Sequence, residues 1–287
     1  PDHKAYCWGK NDGGQLGNNS TYGVPSSTPV AVHQGAIPSG VTLTHITAGG
    51  GYTCALGSDH KAYCWGMNEY GQLGINSSGD RRVPVAVVQG AIPSNVNLTY
   101  LSAGGVHTCA IGSNGQAYCW GDGHYGKLGN NSTSTSVTPV AVLQGAIPNG
   151  VTLTHISAGG HHTCALGSNS KTYCWGFNNS GQLGNGAGSG WDDKSLTPVA
   201  VSQGSIPSGV NLIQVSAGGT HVCALGSDHK TYCWGGNWFG QLGNNIFRVD
   251  SPVPVTVVQG AMPNISSGTT VKVDGVTVPV RYISSTE

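Results

Sequence analysis

The stretch AGGHHTCALGSNSKTYCWGFNNSGQLG, residues 158–184, decides the fold because close copies of it recur along the sequence. Its core tetrapeptide Tyr-Cys-Trp-Gly appears five times, with successive tryptophans 57, 55, 55 and 59 residues apart. These tryptophans are Trp8, Trp65, Trp120, Trp175 and Trp234. A second string, Gln-Gly-(Ala/Ser)-x-Pro, repeats with nearly the same spacing. Self-similarity at this period indicates a solenoid or a propeller built from tandem repeats.

The sequence of one repeat, residues 29–74, predicts four short strands, at 29–32, 41–48, 52–56 and 61–65. They are rich in β-branched residues and are separated by turns that contain Gly and Pro. No segment has a capped helical periodicity. A four-stranded sheet cannot bury both of its faces alone, so the repeats are expected to pack around an axis as blades. The sequence therefore predicts an all-β propeller of about five four-stranded antiparallel blades.

The predicted organisation is five tandem repeats of about 57 residues over 1–264, followed by divergent C-terminal strands over 265–287. The chain starts inside a repeat and without Met, which is expected of a processed or excised piece. A strand at residues 277–284 could pair with Lys4–Trp8 and close the ring, which would remove exposed sheet edges. The alternative is an arc of a longer propeller, in which residues 265–287 lead into another segment.

Three motifs in fixed order carry a family resemblance: Ala158–Leu166, Tyr173–Gly176 and Asn178–Gly184. Together they resemble the repeat of the regulator of chromosome condensation family of β-propellers, and the resemblance covers nearly the whole chain. Family propellers usually have seven blades, whereas five repeats are counted here. Members of the family act as an exchange factor for a small GTPase, as protein inhibitors of β-lactamase and as interaction domains.

Eight of the nine cysteines form four pairs, and nine residues separate the members of each pair. The partners face each other across a predicted hairpin, at a spacing that a disulfide accepts. The predicted disulfides join Cys54 to Cys64, Cys109 to Cys119, Cys164 to Cys174, and Cys223 to Cys233. Buried free thiols are the alternative, and the spacing does not suit zinc. Disulfides indicate an oxidising compartment, so we expect an extracellular or cell-surface, bacterial-like member of the family in which Cys7 is left over.

The composition limits the possible partners. Twelve basic residues balance twelve acidic ones, and only 8% of residues are charged, which disfavours nucleic acid as a partner. No apolar run is long enough for membrane insertion. A histidine stands two positions before the cysteine of the second strand in three repeats, and Tyr52 takes this position in another. The three histidines, His107, His162 and His221, are expected to pack within the blades more than to form a metal site. No catalytic, cofactor-binding or metal-binding residue is predicted, and no enzyme motif is present.

The loop after each Tyr-Cys-Trp-Gly varies most between repeats, and a propeller places these loops on one face. Aromatic residues on rigid loops are common anchors of recognition. The predicted partner-binding residues are Tyr70, Tyr125, Trp191, Asp192, Asp193, Trp238 and Phe239. Alternatively, each ring folds back onto its own blade. Asp192 and Asp193 are the only adjacent carboxylates, and neighbours on one loop suit paired acid/base chemistry poorly.

The sequence thus predicts a non-enzymatic binding scaffold, which acts in protein interaction or adhesion through one loop face. Its partner would be a protein or a surface glycan of unknown identity. The alternatives are a lectin-like propeller and a secreted inhibitor that resembles the β-lactamase-inhibiting members of the family. A lectin would carry equivalent aromatic sites in several blades.

Overall fold

The computed structural model describes residues 4–188, 190–258, 270–273 and 276–279. The chain divides into two compact units, Pro1–Val257 and Val258–Glu287. The first unit contains eighteen strands and one short 3-10 turn, His124–Gly126. The predicted boundary at residue 264 lies outside the described residues.

The first unit is a series of antiparallel sheets that follow one another along the chain. Its first sheet, the half-blade, consists of β1 (Tyr6–Gly9) and β2 (Ser26–Ala31). Blade 1 comprises β3 (Leu43–Ala48), β4 (Tyr52–Gly57), β5 (Ala62–Gly66) and β6 (Arg81–Ala86). Blade 2 comprises β7 (Leu98–Ala103), β8 (His107–Gly112), β9 (Ala117–Gly121) and β10 (Ser136–Ala141).

Blades 3 and 4 repeat this arrangement. Blade 3 comprises β11 (Leu153–Ala158), β12 (His162–Gly167), β13 (Thr172–Phe177) and β14 (Lys194–Ala200). Blade 4 comprises β15 (Leu212–Ala217), β16 (His221–Gly226), β17 (Thr231–Gly235) and β18 (Ser251–Thr256). In the second unit, β19 (Thr270–Val273) pairs with β20 (Val276–Pro279).

The all-β propeller prediction is confirmed, with four strands in each of blades 1 to 4 and two in the half-blade. The strands predicted at 41–48, 52–56 and 61–65 match β3, β4 and β5 of blade 1 within a few residues, because Gly and Pro end each run. The strand predicted at 29–32 instead pairs in the half-blade as β2, and the fourth strand of blade 1 is β6. The predicted closure of the ring involves residues 280–284, which lie outside the described residues.

Each complete blade contains the predicted disulfide. In blade 2, Cys109 lies directly opposite Cys119 in the β8–β9 register. The Cα atoms of these two residues are 4.1 Å apart, and the other three bridges have the same separation. The bridges join Cys54–Cys64, Cys109–Cys119, Cys164–Cys174 and Cys223–Cys233. Among the described residues Cys7 is the free cysteine, and burial raises the pKa of its thiol to about 11.

Hydrogen bonds join neighbouring blades at the inner strands. Gly50 N donates to Gly104 O at 3.0 Å, and Gly105 N donates to Gly159 O at the same distance. The Ala-Gly-Gly turns of blades 1 to 4 together line one space of about 240 Å³. The first strand of each blade is therefore the innermost one, and its turn faces the axis.

The tryptophan of each complete blade packs against the preceding repeat. Trp65 Nε1 donates to Gln15 O at 3.0 Å, and Trp120 Nε1 donates to Gln72 O at 2.9 Å. All four of these tryptophans are fully buried. The indole thus contributes a large apolar surface while its single N–H keeps a partner.

Candidate protein-interaction face

The two ends of the blades carry different connections. The first and third strands of a blade run in the same direction, so the Ala-Gly-Gly turn and the loop after Trp-Gly emerge at one end. We call this end the loop face; its long loops are 10–25, 67–80, 122–135, 178–193 and 236–250. The opposite end, the turn face, carries the hairpin turns and the Gln-Gly links. The prediction that the variable loops share one face agrees with this topology.

Buried polar side chains hold four of the long loops in the same shape. Leu73 N donates to Asn68 Oδ1 at 3.0 Å, and Tyr70 N donates to Gln72 Oε1 at 3.0 Å. Asn11, Asn178 and Asn237 accept the equivalent leucine N–H bond in their own loops. Each of these loops thereby buries one leucine, and the hydrogen bonds fix the backbone conformation next to the loop tip.

The loop after β9 replaces this arrangement with a buried ion pair. Gly123 stands where the other loops have asparagine, and Lys127 stands in place of glutamine. Lys127 is fully buried and its Nζ donates to Asp122 Oδ2, while Asp122 Oδ1 accepts from His124 N at 3.0 Å. Burial alone would raise the pKa of Asp122, but the bonds from Lys127 and His124 lower it to about 2. The Asp122 carboxylate therefore compensates the charge of the buried Lys127 that replaces glutamine.

The loop face carries most of the exposed apolar surface. Nine of the fifteen exposed large apolar side chains in the described part of the chain lie in its loops. They are Tyr22, Val24, Tyr70, Trp191, Trp238, Phe239, Ile246, Phe247 and Val249. Single exposed apolar residues are ordinary on a protein surface, whereas their concentration in the loops of one face makes this face the candidate for recognition.

The predicted aromatic residues divide into exposed and packed ones. Trp191 is 98% exposed, Phe239 83% and Trp238 60%, and the Arg248 guanidinium lies 5.2 Å from the Trp238 ring centre. Tyr70 is 36% exposed. Tyr125 instead stacks on Phe177 with ring centres 4.2 Å apart, and His161 meets its edge. Tyr125 thus packs on the next blade, which differs both from a free anchor and from the alternative in which the ring folds back onto its own blade.

The two adjacent carboxylates also have separate environments. Asp192 pairs with Lys194 at the surface. Asp193 accepts from Asn178 Nδ2 at 3.1 Å, so it helps to hold its own loop. Asp80 and Asp250 bond the backbone N of the equivalent asparagine at 2.9 and 2.7 Å. In the sequence, an Asp recurs at the last position of these three loops, and this repetition could have predicted that the Asp stabilises its own loop.

Sequence reasoning missed five exposed residues of the loop face: Tyr22, Val24, Ile246, Phe247 and Val249. They stand in the second half of their loops, beyond the first few positions after Trp-Gly. The signal was apolar residues in a loop segment where other repeats have Asn, Ser and Thr.

Two of the residues that stand two positions before a second-strand cysteine, Tyr52 and His107, link their blade to the next one. Tyr52 OH donates to His107 O at 2.5 Å and accepts from Gly104 N at 3.1 Å. His107 Nε2 lies 2.9 Å from Thr163 Oγ1 of blade 3. Burial is the main cause that lowers the pKa of His107 and, to about 3, that of His162. In the described residues, no group of three or more His, Cys, Asp or Glu side chains could hold a metal ion.

The described residues contain no helix with the length and apolar character needed to span a bilayer.

Relatives of known sequence match most of the chain. Mouse E3 ubiquitin-protein ligase HERC2 is 30% identical over 266 residues, which cover 92% of this chain and 5% of the ligase. The ultraviolet-B receptor UVR8 of Arabidopsis thaliana is 31% identical over 258 residues, which cover 88% of this chain and 53% of the receptor. The chain therefore spans only part of these relatives.

Solved structures show the same fold at low identity. Human WBSCR16 superposes with a TM-score of 0.74 at 19% identity, over 90% of this chain and 63% of that protein. Prp20p of Saccharomyces cerevisiae gives a TM-score of 0.58 at 20% identity, over 91% of this chain and 74% of that protein. The family model of the RCC1-like domain matches residues 1–275. With its repeated blades and their shared motifs, this chain belongs to the RCC1-like domain family, whose propellers are mostly non-catalytic interaction scaffolds.

Proposed function

We propose that this chain is a non-enzymatic binding scaffold of the extracellular space or cell surface, which recognises a protein through its loop face. The observation that carries this proposal is the concentration of exposed aromatic side chains in loops 178–193 and 236–250. Trp191, Trp238, Phe239 and Phe247 are each at least 60% exposed. Aromatic side chains of this kind dominate the binding energy of many protein interfaces.

The rigidity of the loops supports recognition by a preformed surface. The Asn237 side chain accepts from Leu242 N at 3.0 Å and donates to Ile246 O at 2.8 Å. Asp250 accepts from Asn237 N at 2.7 Å. These bonds hold both ends of the loop that presents Trp238 and Phe239, so binding costs little further ordering of the backbone.

The disulfides support a location outside the cytoplasm. Four bridges lie within blades 1 to 4, and cytosolic proteins rarely keep disulfides. The neighbouring structures support a protein partner, because one is described as yeast RCC1 (Prp20) bound to Kap60 and another in terms of binding to Gsp1p and histones. Adhesion is one form that such binding would take at a cell surface.

The test compares variants of the two faces in the 287-residue chain. The loop-face variant is Trp191→Ser/Trp238→Ser/Phe239→Ser, and the turn-face control is Leu143→Ser/Lys171→Ser. Each protein is immobilised and exposed to surface extracts of the source cells, and bound proteins are identified by mass spectrometry. We expect a partner that the parent and the control retain and that the loop-face variant loses.

Two results would contradict the proposal. If the loop-face variant retains the partner as well as the parent does, the binding site lies elsewhere. If the parent binds to a glycan array and the loop-face variant does not, the lectin alternative is favoured. Capture of a purified β-lactamase through the same residues would instead identify the inhibitor alternative as the form that protein binding takes.

A further inference from the structure

An open pocket lies on the turn face between blade 1 and blade 2. Its walls are the hairpin turn of blade 1, residues 59–62, and the link that leads to blade 2, residues 86–98. We call this space the turn-face pocket. Its volume is about 350 Å³, which falls within the range of roughly 300–1,000 Å³ that small-molecule sites have.

Hydrogen bonds hold the two walls of the turn-face pocket together. Val87 N donates to Ala62 O at 2.9 Å, and Leu98 N donates to His60 O at 3.2 Å. Both ends of the link are therefore bonded to the hairpin. The pocket is formed before a ligand arrives, so binding requires little further ordering of the backbone.

The inner surface of the turn-face pocket is apolar. Ala62, Ile92 and Leu98 line it and are buried, and Val87 and Val96 complete this surface. An apolar group that displaces water from such a surface gains free energy. Because a water molecule takes about 30 Å³ in the liquid, the pocket has room for roughly ten to twelve non-hydrogen atoms.

The rim of the turn-face pocket carries an unpaired positive charge. Lys61 lines the pocket, is exposed and takes part in none of the four ion pairs in the described part of the chain. The nearby Asp59 carboxylate is already engaged, since its Oδ2 accepts from Tyr63 OH at 2.6 Å and its Oδ1 accepts from Lys61 N at 3.3 Å. A Cβ on Gly57 would lie 2.4 Å from Asp59 Oδ1, so this carboxylate points back into its own hairpin. The rim therefore favours a negative group on the ligand.

The equivalent pocket between blades 2 and 3 differs in size and charge. Its volume is about 260 Å³. Gln116 stands where blade 1 has Lys61, and Leu143 stands where blade 1 has Val88. Gln116 Nε2 donates to Val142 O at 2.5 Å, which joins the hairpin to the link. The larger Leu143 and this bond reduce the space, and the neutral Gln116 supplies no positive charge.

We propose that the turn-face pocket binds a small monocarboxylic acid whose apolar body fills it. The apolar body lies against Ile92, Val96 and Leu98, and the carboxylate accepts a charge-assisted hydrogen bond from Lys61 Nζ. This site lies on the face opposite the loop face, so it does not depend on the proposed function. 3-Phenylpropionate has the size and the charge for a probe.

An NMR titration of the isotope-labelled 287-residue chain with 3-phenylpropionate tests the proposal. We expect saturable chemical-shift changes with a Kd of about 0.1–1 mM. Lys61→Gln should weaken binding by about threefold to tenfold, because it removes the charge at the rim. Lys61→Gln/Val88→Leu, which copies blade 2, should weaken it further. The matched control is Lys171→Gln, which removes the lysine at the same position of blade 3 and should bind the probe as the parent does.

Two related probes separate recognition of charge from burial of the ring. 3-Phenylpropanol should bind the parent more weakly than the acid does, and it should bind Lys61→Gln and the parent equally. 3-Phenylpropylamine should bind the parent more weakly than either of the other probes. Circular dichroism verifies that each variant is folded.

Four results would overturn the proposal. They are the lack of saturable binding of the acid, acid binding that Lys61→Gln leaves unchanged, an equal loss in Lys171→Gln, and tighter binding of the alcohol or the amine than of the acid. Tighter binding of the amine would assign the recognition of charge to Asp59.

Discussion

The half-blade and blade 2 share a motif but differ in the environment of its central residue. Trp8 and Trp120 both stand in Tyr-Cys-Trp-Gly, yet Trp8 is 62% exposed and Trp120 is fully buried. Ile46, on the first strand of blade 1, is 45% exposed, while the equivalent Leu101 of blade 2 is 1% exposed. A cavity of about 540 Å³, lined in part by Trp8 and Ile46, lies between the half-blade and blade 1.

This comparison shows that burial in a repeat protein belongs to the interface between neighbours. Trp120 is buried because the preceding repeat supplies Gln72 O and Gly74, and Leu101 because blade 1 has its inner strands. The stability of such proteins is approximately a sum of repeat and nearest-neighbour interface contributions. Identical motifs at different positions should therefore respond differently to the same substitution.

The largest expected effect is the loss of a buried tryptophan. Trp120→Ala should lower the free energy of unfolding by about 3–5 kcal/mol, because it leaves a large cavity and removes one of the two hydrogen bonds that the Gln72 carbonyl accepts. Trp8→Ala, the matched substitution in the half-blade, should cost less than about 1 kcal/mol. Urea denaturation at low protein concentration measures both. Equal losses would show that Trp8 is as buried in solution as Trp120.

Removal of one disulfide comes next. Cys109→Ala/Cys119→Ala should destabilise the protein by about 2–3 kcal/mol, because the bridge closes a short loop in the unfolded chain. Cys7→Ala, which removes no bridge, is the control and should change stability by less than about 1 kcal/mol. Intact mass before and after reduction and alkylation checks the pattern, with eight cysteines protected and one free. Nine free thiols in the native protein would contradict the disulfide assignment and the proposed compartment.

Two glycines at equivalent positions, one of which contacts a tryptophan, give a smaller contrast. Gly184 and Gly243 both have φ near +60°, at +67° and +59°, so an added Cβ strains their backbones equally. Only Gly184 faces an indole, with Trp234 Nε1 2.7 Å from the ideal Cβ position. Gly184→Ala should therefore cost about 1–3 kcal/mol more than Gly243→Ala in thermal or urea unfolding. Similar costs would contradict the role of the Trp234 contact in this difference.

The last expected effect is a dependence on pH that the buried histidines confer, which is small near neutral pH and grows as the pH falls. Burial lowers the pKa of His162 to about 3, so it stays neutral in the folded protein, while the unfolded chain protonates it near pH 6.5. Its stabilising effect is complete above pH 6.5 and is lost as the pH falls toward 3, by about 1.4 kcal/mol per pH unit. His162→Tyr, which copies Tyr52 of blade 1, should remove this part of the slope. An unchanged slope between pH 6 and 4 would contradict the assignment.

Periodicity was sufficient for the repeat, for the three strands predicted within 41–65 and for the cysteine pairs, but it assigned the strand at 29–32 to blade 1, whereas that strand pairs in the half-blade. Cys109 and Cys119 face each other because a hairpin with a fixed turn leaves one register, and both the turn and the alternation are local features. The shared face of the variable loops follows from strand direction, which is equally local. These features need only the order of residues within one repeat.

The roles of individual loop residues depended on contacts between segments. Tyr70 and Tyr125 occupy equivalent positions in their loops. Tyr125 is covered by Phe177 of the next repeat, whereas the repeat after Tyr70 has Asp122 at the position of Phe177. Asp193 holds Asn178 across fifteen residues, and Phe247 covers Gly240 where a next blade lies in other repeats. Such contacts depend on which side chains meet after packing, and a repeat pattern does not contain this information. The sequence determines the blade and its disulfide, whereas only the packed neighbours decide which aromatic side chains remain on the surface.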